Sequence, residues 1–273
     1  MFKSCTIFIF LCVLVSVTRG QSLGRADSLF DSGDYALAAV EYERCVFLSE
    51  SRETTSRALR QKALCYKSEG RFAEAAATIE RYVDSYADHY QLALCRYLAA
   101  DYQGASSTVR NYSMWYDSVD RDMLLIQMLA LNEQKLYDSA RAVSIQLAER
   151  HKAIAGEDLM PLLDSLYDAC PKMKDETVGF WLSFIPGLGH AYAGNYAMGV
   201  GALLLNATVV TFGVWQLLEH CYVTAYLGGA GMLNITYLGS MRSAAYQLQK
   251  TNYQRSAPFN QRFRQMIVGA LDK

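Results

Sequence analysis

An aromatic residue followed three positions later by alanine occurs four times in the first half of the chain. Intervals of 37, 30 and 35 residues separate the four pairs, which are Tyr35/Ala38, Phe72/Ala75, Tyr102/Ala105 and Tyr137/Ala140. Around each pair, apolar residues recur at spacings of three and four, the period of a helix with one buried face. A unit of this length is too short to enclose a core alone, so the pattern predicts helix pairs that stack on one another.

Glycine marks the turn inside the first two units. Gly33 and Gly70 each stand two positions before the aromatic residue, where a helix ends and a positive backbone φ is needed. Ala100 and Lys135 occupy the same place in the last two units, where the pattern is therefore weaker. The alternative interpretation is a helical bundle in which the spacing is accidental.

This alternation of small and aromatic residues resembles the tetratricopeptide repeat family over residues 22–150. The proline that usually closes each unit of that family is absent here. The resemblance implies an all-α solenoid, which we place at residues 21–170. It also implies that the first helix of each unit lines a concave groove that binds a protein or peptide partner.

A strip of basic and aromatic residues falls on the first helices of the second and third units. These outward positions are Arg57, Arg60, Lys67, Tyr90, Leu94 and Tyr97. Such a strip is suited to an acidic or C-terminal peptide segment, through bidentate arginine contacts and aromatic stacking. The alternative is ordinary surface charge.

Two long stretches without charge follow in the second half of the chain. Residues 197–218 contain 22 uncharged residues and residues 221–241 contain 21, separated only by Glu219 and His220. Stretches of about 20 such residues match the hydrocarbon core of a bilayer, so we predict a transmembrane helical hairpin within residues 176–245. Several polar residues within these stretches are costly against lipid and are expected to face each other: Asn206, Thr208, Thr211, Gln216, Asn234 and Thr236. The alternative is two buried helices of a soluble domain.

Ahead of these stretches lie Pro186-Gly187-Leu188-Gly189 and Tyr192-Ala193-Gly194. The run is similar to bacterial membrane-domain families that carry a Pro-Gly-x-Gly and Tyr-x-Gly signature before two closely spaced transmembrane helices. The similarity covers about residues 176–250. It implies architecture only, with no activity to transfer.

The chain begins like an exported protein. Residues 1–20 contain one early lysine, an apolar run and small residues at their end, which predicts a cleaved signal peptide, with an uncleaved anchor as the alternative. Residues 21–175 carry a net charge of −6 and residues 176–273 a net charge of +3, with a basic tail at 246–273. This tail is either an amphipathic helix on lipid or a solvated helix. A basic tail on the exported side opposes the positive-inside tendency, so the orientation of the hairpin stays open.

The sequence lacks the familiar catalytic and metal-binding patterns. It has no phosphate-binding glycine loop, no His-Glu-x-x-His, no Gly-x-Ser-x-Gly and no Cys-x-x-Cys. We therefore expect no catalytic residue, cofactor or metal, and no nucleic-acid partner. The leading hypothesis is a membrane-tethered scaffold of a bacterial cell envelope, with its repeats in the periplasm. The alternatives are a small pore or transporter subunit that forms homo-oligomers through the hairpin and, more remotely, an enzyme using His190 and Glu219.

Overall fold

The structure, a computed structural model, describes residues 23–116 and 119–271. The predicted signal peptide at residues 1–20 lies outside these ranges. Within them every regular element is a helix and no strand occurs, so the all-α prediction is confirmed for the described residues. The chain divides into two compact units, one ending at Tyr167 and the other beginning at Asp168.

The first unit is a succession of helices in which each packs on its neighbour in sequence from α2 to α8. The helices are α1 (residues 23–31), α2 (Tyr35–Leu48), α3 (Arg52–Ser68), α4 (Phe72–Ile79), α5 (Tyr86–Leu98), α6 (Tyr102–Trp115), α7 (Arg121–Glu133), α8 (Tyr137–Ala155) and α9 (Met160–Asp168). This packing is repeat-like, because contacts run mainly between consecutive helices.

The repeated aromatic residue and alanine have fixed places in this succession. Each aromatic residue is the first residue of the second helix of a pair, namely α2, α4, α6 and α8. Each alanine is 0% exposed: Ala38, Ala75, Ala105 and Ala140. A side chain that stops at Cβ lets the neighbouring helix approach closely, so the period seen in the sequence is the period of the helix contacts.

The turn before each second helix is also repeated. In the first, the Gly33 N–H donates to the Phe30 carbonyl and the Asp34 N–H donates to the Leu29 carbonyl, both at 3.0 Å. The same two bonds recur around Gly70, Ala100 and Lys135.

The positive φ predicted at the two glycines is confirmed, at +84° for Gly33 and +71° for Gly70. Ala100 and Lys135 also adopt left-handed conformations, with φ of 61° and 64°. A non-glycine residue accepts this conformation at a cost of about 1 kcal/mol, so the missing glycines weaken the sequence signal without changing the turn.

Glu43 on α2 links three successive helical segments. Its carboxylate accepts hydrogen bonds from Arg81, which follows α4, at 2.9 Å and from Lys62 on α3 at 2.8 Å. These bonds lower the pKa of Glu43 from 4.5 to about 2, and the bond from Arg81 has the larger effect. Because the folded pKa is the lower one, the stabilisation is present above the unfolded value and is lost as the pH falls towards 2.

The second unit contains α10 (Glu176–Leu182), α11 (Leu188–Ala193), α12 (Tyr196–Leu218), α13 (Tyr222–Thr224), a π-helical segment (Ala225–Gly231) and α14 (Met232–Leu271). The backbone is helical without a break from residue 222 to residue 271.

From the sequence, the second apolar helix was expected to end near residue 241, and this prediction is wrong. The helix continues to Leu271, through the described residues of the tail predicted at 246–273, and contains Pro258 in its interior. The sequence changes from apolar to polar at Arg242, but glutamine, lysine and arginine are good helix formers, so a change of polarity is not a helix end.

We predict that Glu43→Gln lowers the free energy of unfolding of the first unit at about pH 7 by about 1 kcal/mol or less, because the carboxylate is partly exposed. The difference from the wild type should be smaller near pH 2, where Glu43 is protonated in the unfolded state and about half protonated in the folded state. Urea denaturation at both pH values measures it. Glu149→Gln, which removes an exposed carboxylate of α8, is the control. A difference that persists unchanged at low pH would contradict this account.

Candidate functional site

The cations of the predicted groove all have acceptors within the first unit. On α3, Arg57 lies 3.4 Å from Asp27 and Arg60 lies 3.1 Å from Asp88. Lys67 donates to the side-chain oxygen of Gln91 on α5. These bonds join α3 to its neighbours, so the cations have a structural role whether or not they also meet a partner.

The Asp88 carboxylate is the most enclosed of these acceptors. Burial by itself would raise the pKa of Asp88, but hydrogen bonds from the Ser85 hydroxyl and backbone N–H, together with Arg60, lower it. Ser85 and Asp88 also form the cap at the start of α5. Arg60 on α3 therefore forms an ion pair with the N-terminal turn of α5.

The apolar half of the predicted strip is half-buried. Tyr90, Leu94 and Tyr97 pack against a cluster formed by α5, α6 and α7. The three side chains thus contribute to the core of the repeats and present less surface than a fully open strip. The partner groove stays a prediction.

Large apolar side chains outside the predicted strip are exposed on the first unit. Phe47 on α2 is 88% exposed, and Trp115 at the end of α6 is 85% exposed. The sequence could have indicated both residues, because each is an aromatic residue at a helix position outside the buried face.

In the second unit, the glycine-rich run lets three helices meet closely. A Cβ atom on Gly199 of α12 would lie 2.8 Å from the carbonyl oxygen of Gly187, which has a φ of +94°. A Cβ atom on Gly189 would lie 2.9 Å from Cβ of Ala244 on α14. The glycines are therefore required where the start of α11 packs between α12 and α14.

His190 lies inside this contact and is 2% exposed. Its Nε2 is 3.1 Å from the hydroxyl of Ser243. Burial lowers the pKa of His190 below its ordinary value. Glu219 follows the other end of α12, about 30 Å away along that helix. The structure does not bring His190 and Glu219 together, so the two residues do not form one site within the chain.

The two apolar helices form a hairpin, defined here as α12 and residues 222–241. His220 has a φ of 60° and the Cys221 N–H donates to the Gln216 carbonyl at 2.9 Å, the same turn as in the repeats. The helices cross at Gly213 and Gly229, where a Cβ atom on Gly229 would lie 2.7 Å from the Gly213 Cα. Gly213 is a single glycine within an apolar run, so no sequence pattern indicates its role at the crossing.

Polar side chains of the hairpin are mostly satisfied by the hairpin itself. Asn206 is 4% exposed; its amide donates to the Ala202 carbonyl at 2.8 Å, and its oxygen accepts from the Thr236 hydroxyl at 3.1 Å. The hydroxyls of Thr208 and Thr211 donate to carbonyls one turn earlier, at 2.8 Å. Asn206 therefore bonds to Thr236, one of the polar residues that were expected to face it, and does not bond to Asn234.

Asn234 lies on the wall of an open cavity of about 740 Å³ that Asn206 and Thr211 also line. The two asparagines therefore share a cavity without bonding to each other. Within the described part of the chain, the Asn234 side chain makes no hydrogen bond, and it is exposed.

The outer surface of the hairpin is apolar. Exposed fractions reach 61% at Leu204, 72% at Leu218, 73% at Val223 and 73% at Ile235. Among the described residues, α12 is the one helix long and apolar enough to cross a membrane. The mean hydropathy of its most apolar 18 residues is 1.8, and only 17% of that segment is buried. Large apolar surfaces that are exposed on a monomer are typical of contacts with a membrane or with another protein.

The chain matches no protein-family model, no curated protein and no solved structure.

Proposed function

We propose that this protein is a non-enzymatic scaffold of the bacterial cell envelope, in which the hairpin is embedded in a membrane and the helical repeats hold partner proteins. The supporting observation is the exposed apolar surface of the hairpin, in contrast to the first unit, whose apolar residues largely form a core. A lipid bilayer is the covering that suits a surface of this length and composition.

The dimensions of α12 agree with a membrane crossing. Its 23 residues rise about 34 Å, close to the hydrocarbon thickness of a bilayer. Tyr196 begins the helix and Trp215 lies in its last turn; both side chains are exposed. Aromatic residues at both ends are typical of helices that lie across the two interfaces.

The second helix of the hairpin supports the same position. It has no charged residue before Arg242, and its N-terminal part is exposed at Tyr222, Val223 and Leu227. The π-helical segment interrupts its regular hydrogen bonding at the crossing with Gly213. We propose that both helices enter the bilayer and that the turn at His220 and Cys221 lies on the side of the membrane opposite the repeats.

The repeats supply the binding part of the proposed scaffold. Stacked helix pairs present long surfaces that suit protein or peptide partners. The strip from Arg57 to Tyr97 and the exposed aromatic residues Phe47 and Trp115 are the places where a partner has charge or apolar area to contact. In this proposal the repeats lie in the periplasm after export.

The cavity beside Asn206 and Asn234 favours a second candidate, a subunit of a small pore or transporter. Polar side chains at the middle of an apolar hairpin are a feature of conduction pathways. A single hairpin cannot enclose a channel, so this function would require several copies.

We predict that Leu204→Lys releases the protein from carbonate-washed membranes, because a charge near the middle of a spanning helix costs about 3 kcal/mol. Leu218→Lys, at the end of the same helix, should remain in the membrane, since lysine there reaches the interface. Membrane fractionation of the full chain measures both. If the wild type itself is extracted by carbonate, or if both lysines behave alike, the hairpin is not embedded.

We predict that a photoreactive amino acid in place of Arg57 on α3 forms discrete adducts with a partner in intact cells. The same substitution for Arg110 on α6, the second helix of its pair, should not, because the first helices carry the proposed groove. Adducts are resolved by gel electrophoresis and mass spectrometry. Identical adducts from both positions would argue against a groove on the first helices.

A further inference from the structure

A continuous groove runs along one side of the hairpin. Two cavities of about 740 and 370 Å³ adjoin each other and share Val210, Ala230 and Leu233 on their walls. On α12 the groove extends from Leu203 to Leu217, a rise of about 21 Å. Its lining positions on both helices recur at three and four residues, so the groove follows one face of each helix over four turns. A groove of this form has the size and shape to accept another helix.

The Asn234 amide lies on the wall of this groove and has no hydrogen-bond partner in the described part of the chain. It neighbours Thr236, which bonds Asn206, the midpoint of α12. In the proposed membrane position, the amide therefore lies near the bilayer centre, where no water replaces a missing hydrogen bond. An unsatisfied amide in hydrocarbon is unfavourable by several kcal/mol, so a partner group is needed at that depth.

The chemistry of the amide selects the partner. Asparagine carries both a donor and an acceptor, so two copies of the same side chain form reciprocal hydrogen bonds. Two chains inserted in the same direction place Asn234 at equal depth, and a two-fold axis along the membrane normal then brings the two side chains together. A lipid tail would fill the apolar groove but would leave the amide unsatisfied.

We propose that a second copy of this chain docks in the groove, so that two hairpins form a four-helix bundle with Asn234 of each copy hydrogen-bonded at its centre. This inference rests on the proposed embedding of the hairpin. The walls of the groove are mostly small or apolar, as the core of such a bundle requires. The two asparagines are the polar contact that fixes the partner and the register.

Energy transfer between differently labelled copies of the full chain in lipid vesicles, at increasing lipid-to-protein ratios, measures the association. The wild type should show transfer that falls on dilution as a dimer dissociates. Asn234→Leu, which removes the amide but keeps the bulk, should raise the dissociation constant about tenfold. Asn234→Gln should retain most of the association. Ile235→Leu, on a side chain that is 73% exposed at the next position, should behave as the wild type.

Filling the groove gives an independent test. Ala230→Phe should abolish energy transfer, because the ring occupies the space of the docking helix. Carbonate resistance of every sample separates the two proposals. Wild-type protein that resists carbonate but stays monomeric at all ratios overturns the dimer and leaves the tether intact. Transfer that is equal in the wild type, Asn234→Leu and Ala230→Phe also overturns it, whereas extraction by carbonate overturns the embedding itself.

Discussion

Close approach of helix backbones is the constraint on which both units depend. It requires residues with little or no side chain where two helices touch, and the chain meets the requirement in two ways. In the repeats, a fully buried alanine such as Ala38 or Ala75 stands one turn into each second helix. In the hairpin, Gly213 and Gly229 let the backbones themselves make contact. Larger residues at these points would separate the helices, and the order of contacts along the chain would be lost.

The two units use this close packing in opposite surroundings. In the repeats, the buried alanines adjoin apolar clusters, while charged side chains such as Glu43 and Arg60 join successive helices at the surface. In the hairpin, the contact between the helices is made by glycine, and leucine, valine and isoleucine side chains cover the outside. Water suits the first arrangement and a bilayer suits the second, which is the physical reason for proposing one protein with a soluble scaffold and a membrane tether.

The sequence predicted the helical class, the start of each second helix and the turns at Gly33 and Gly70, because periodic apolar residues and glycine report directly on local backbone structure. The sequence pattern was weaker at Ala100 and Lys135, although both residues form the same turn. There the packing of the flanking helices holds a non-glycine residue at a positive φ. The sequence prediction also ended the last helix too early, since the change of polarity near Arg242 reflects a change of surroundings and not of backbone.

The candidate site was predictable only in part. Asn206 was expected to have a polar partner in the opposite helix, but the choice of Thr236 over Asn234 depends on the rotation of that helix, which the π-helical segment alters. The strip on α3 and α5 was identified by position alone. Its ties to Asp27, Asp88 and Gln91 come from neighbouring helices and have no local signal.

Labelling of single cysteines in sealed membrane vesicles tests the embedded hairpin most directly. The probes are the natural Cys221 at the turn of the hairpin and Glu176→Cys at the start of α10, each in a chain without other cysteines. A maleimide that does not cross membranes should react with one of them from outside and with the other only after the vesicles are opened. Reaction of both from the same side would show that the hairpin does not cross the bilayer, and the proposed tether would be wrong.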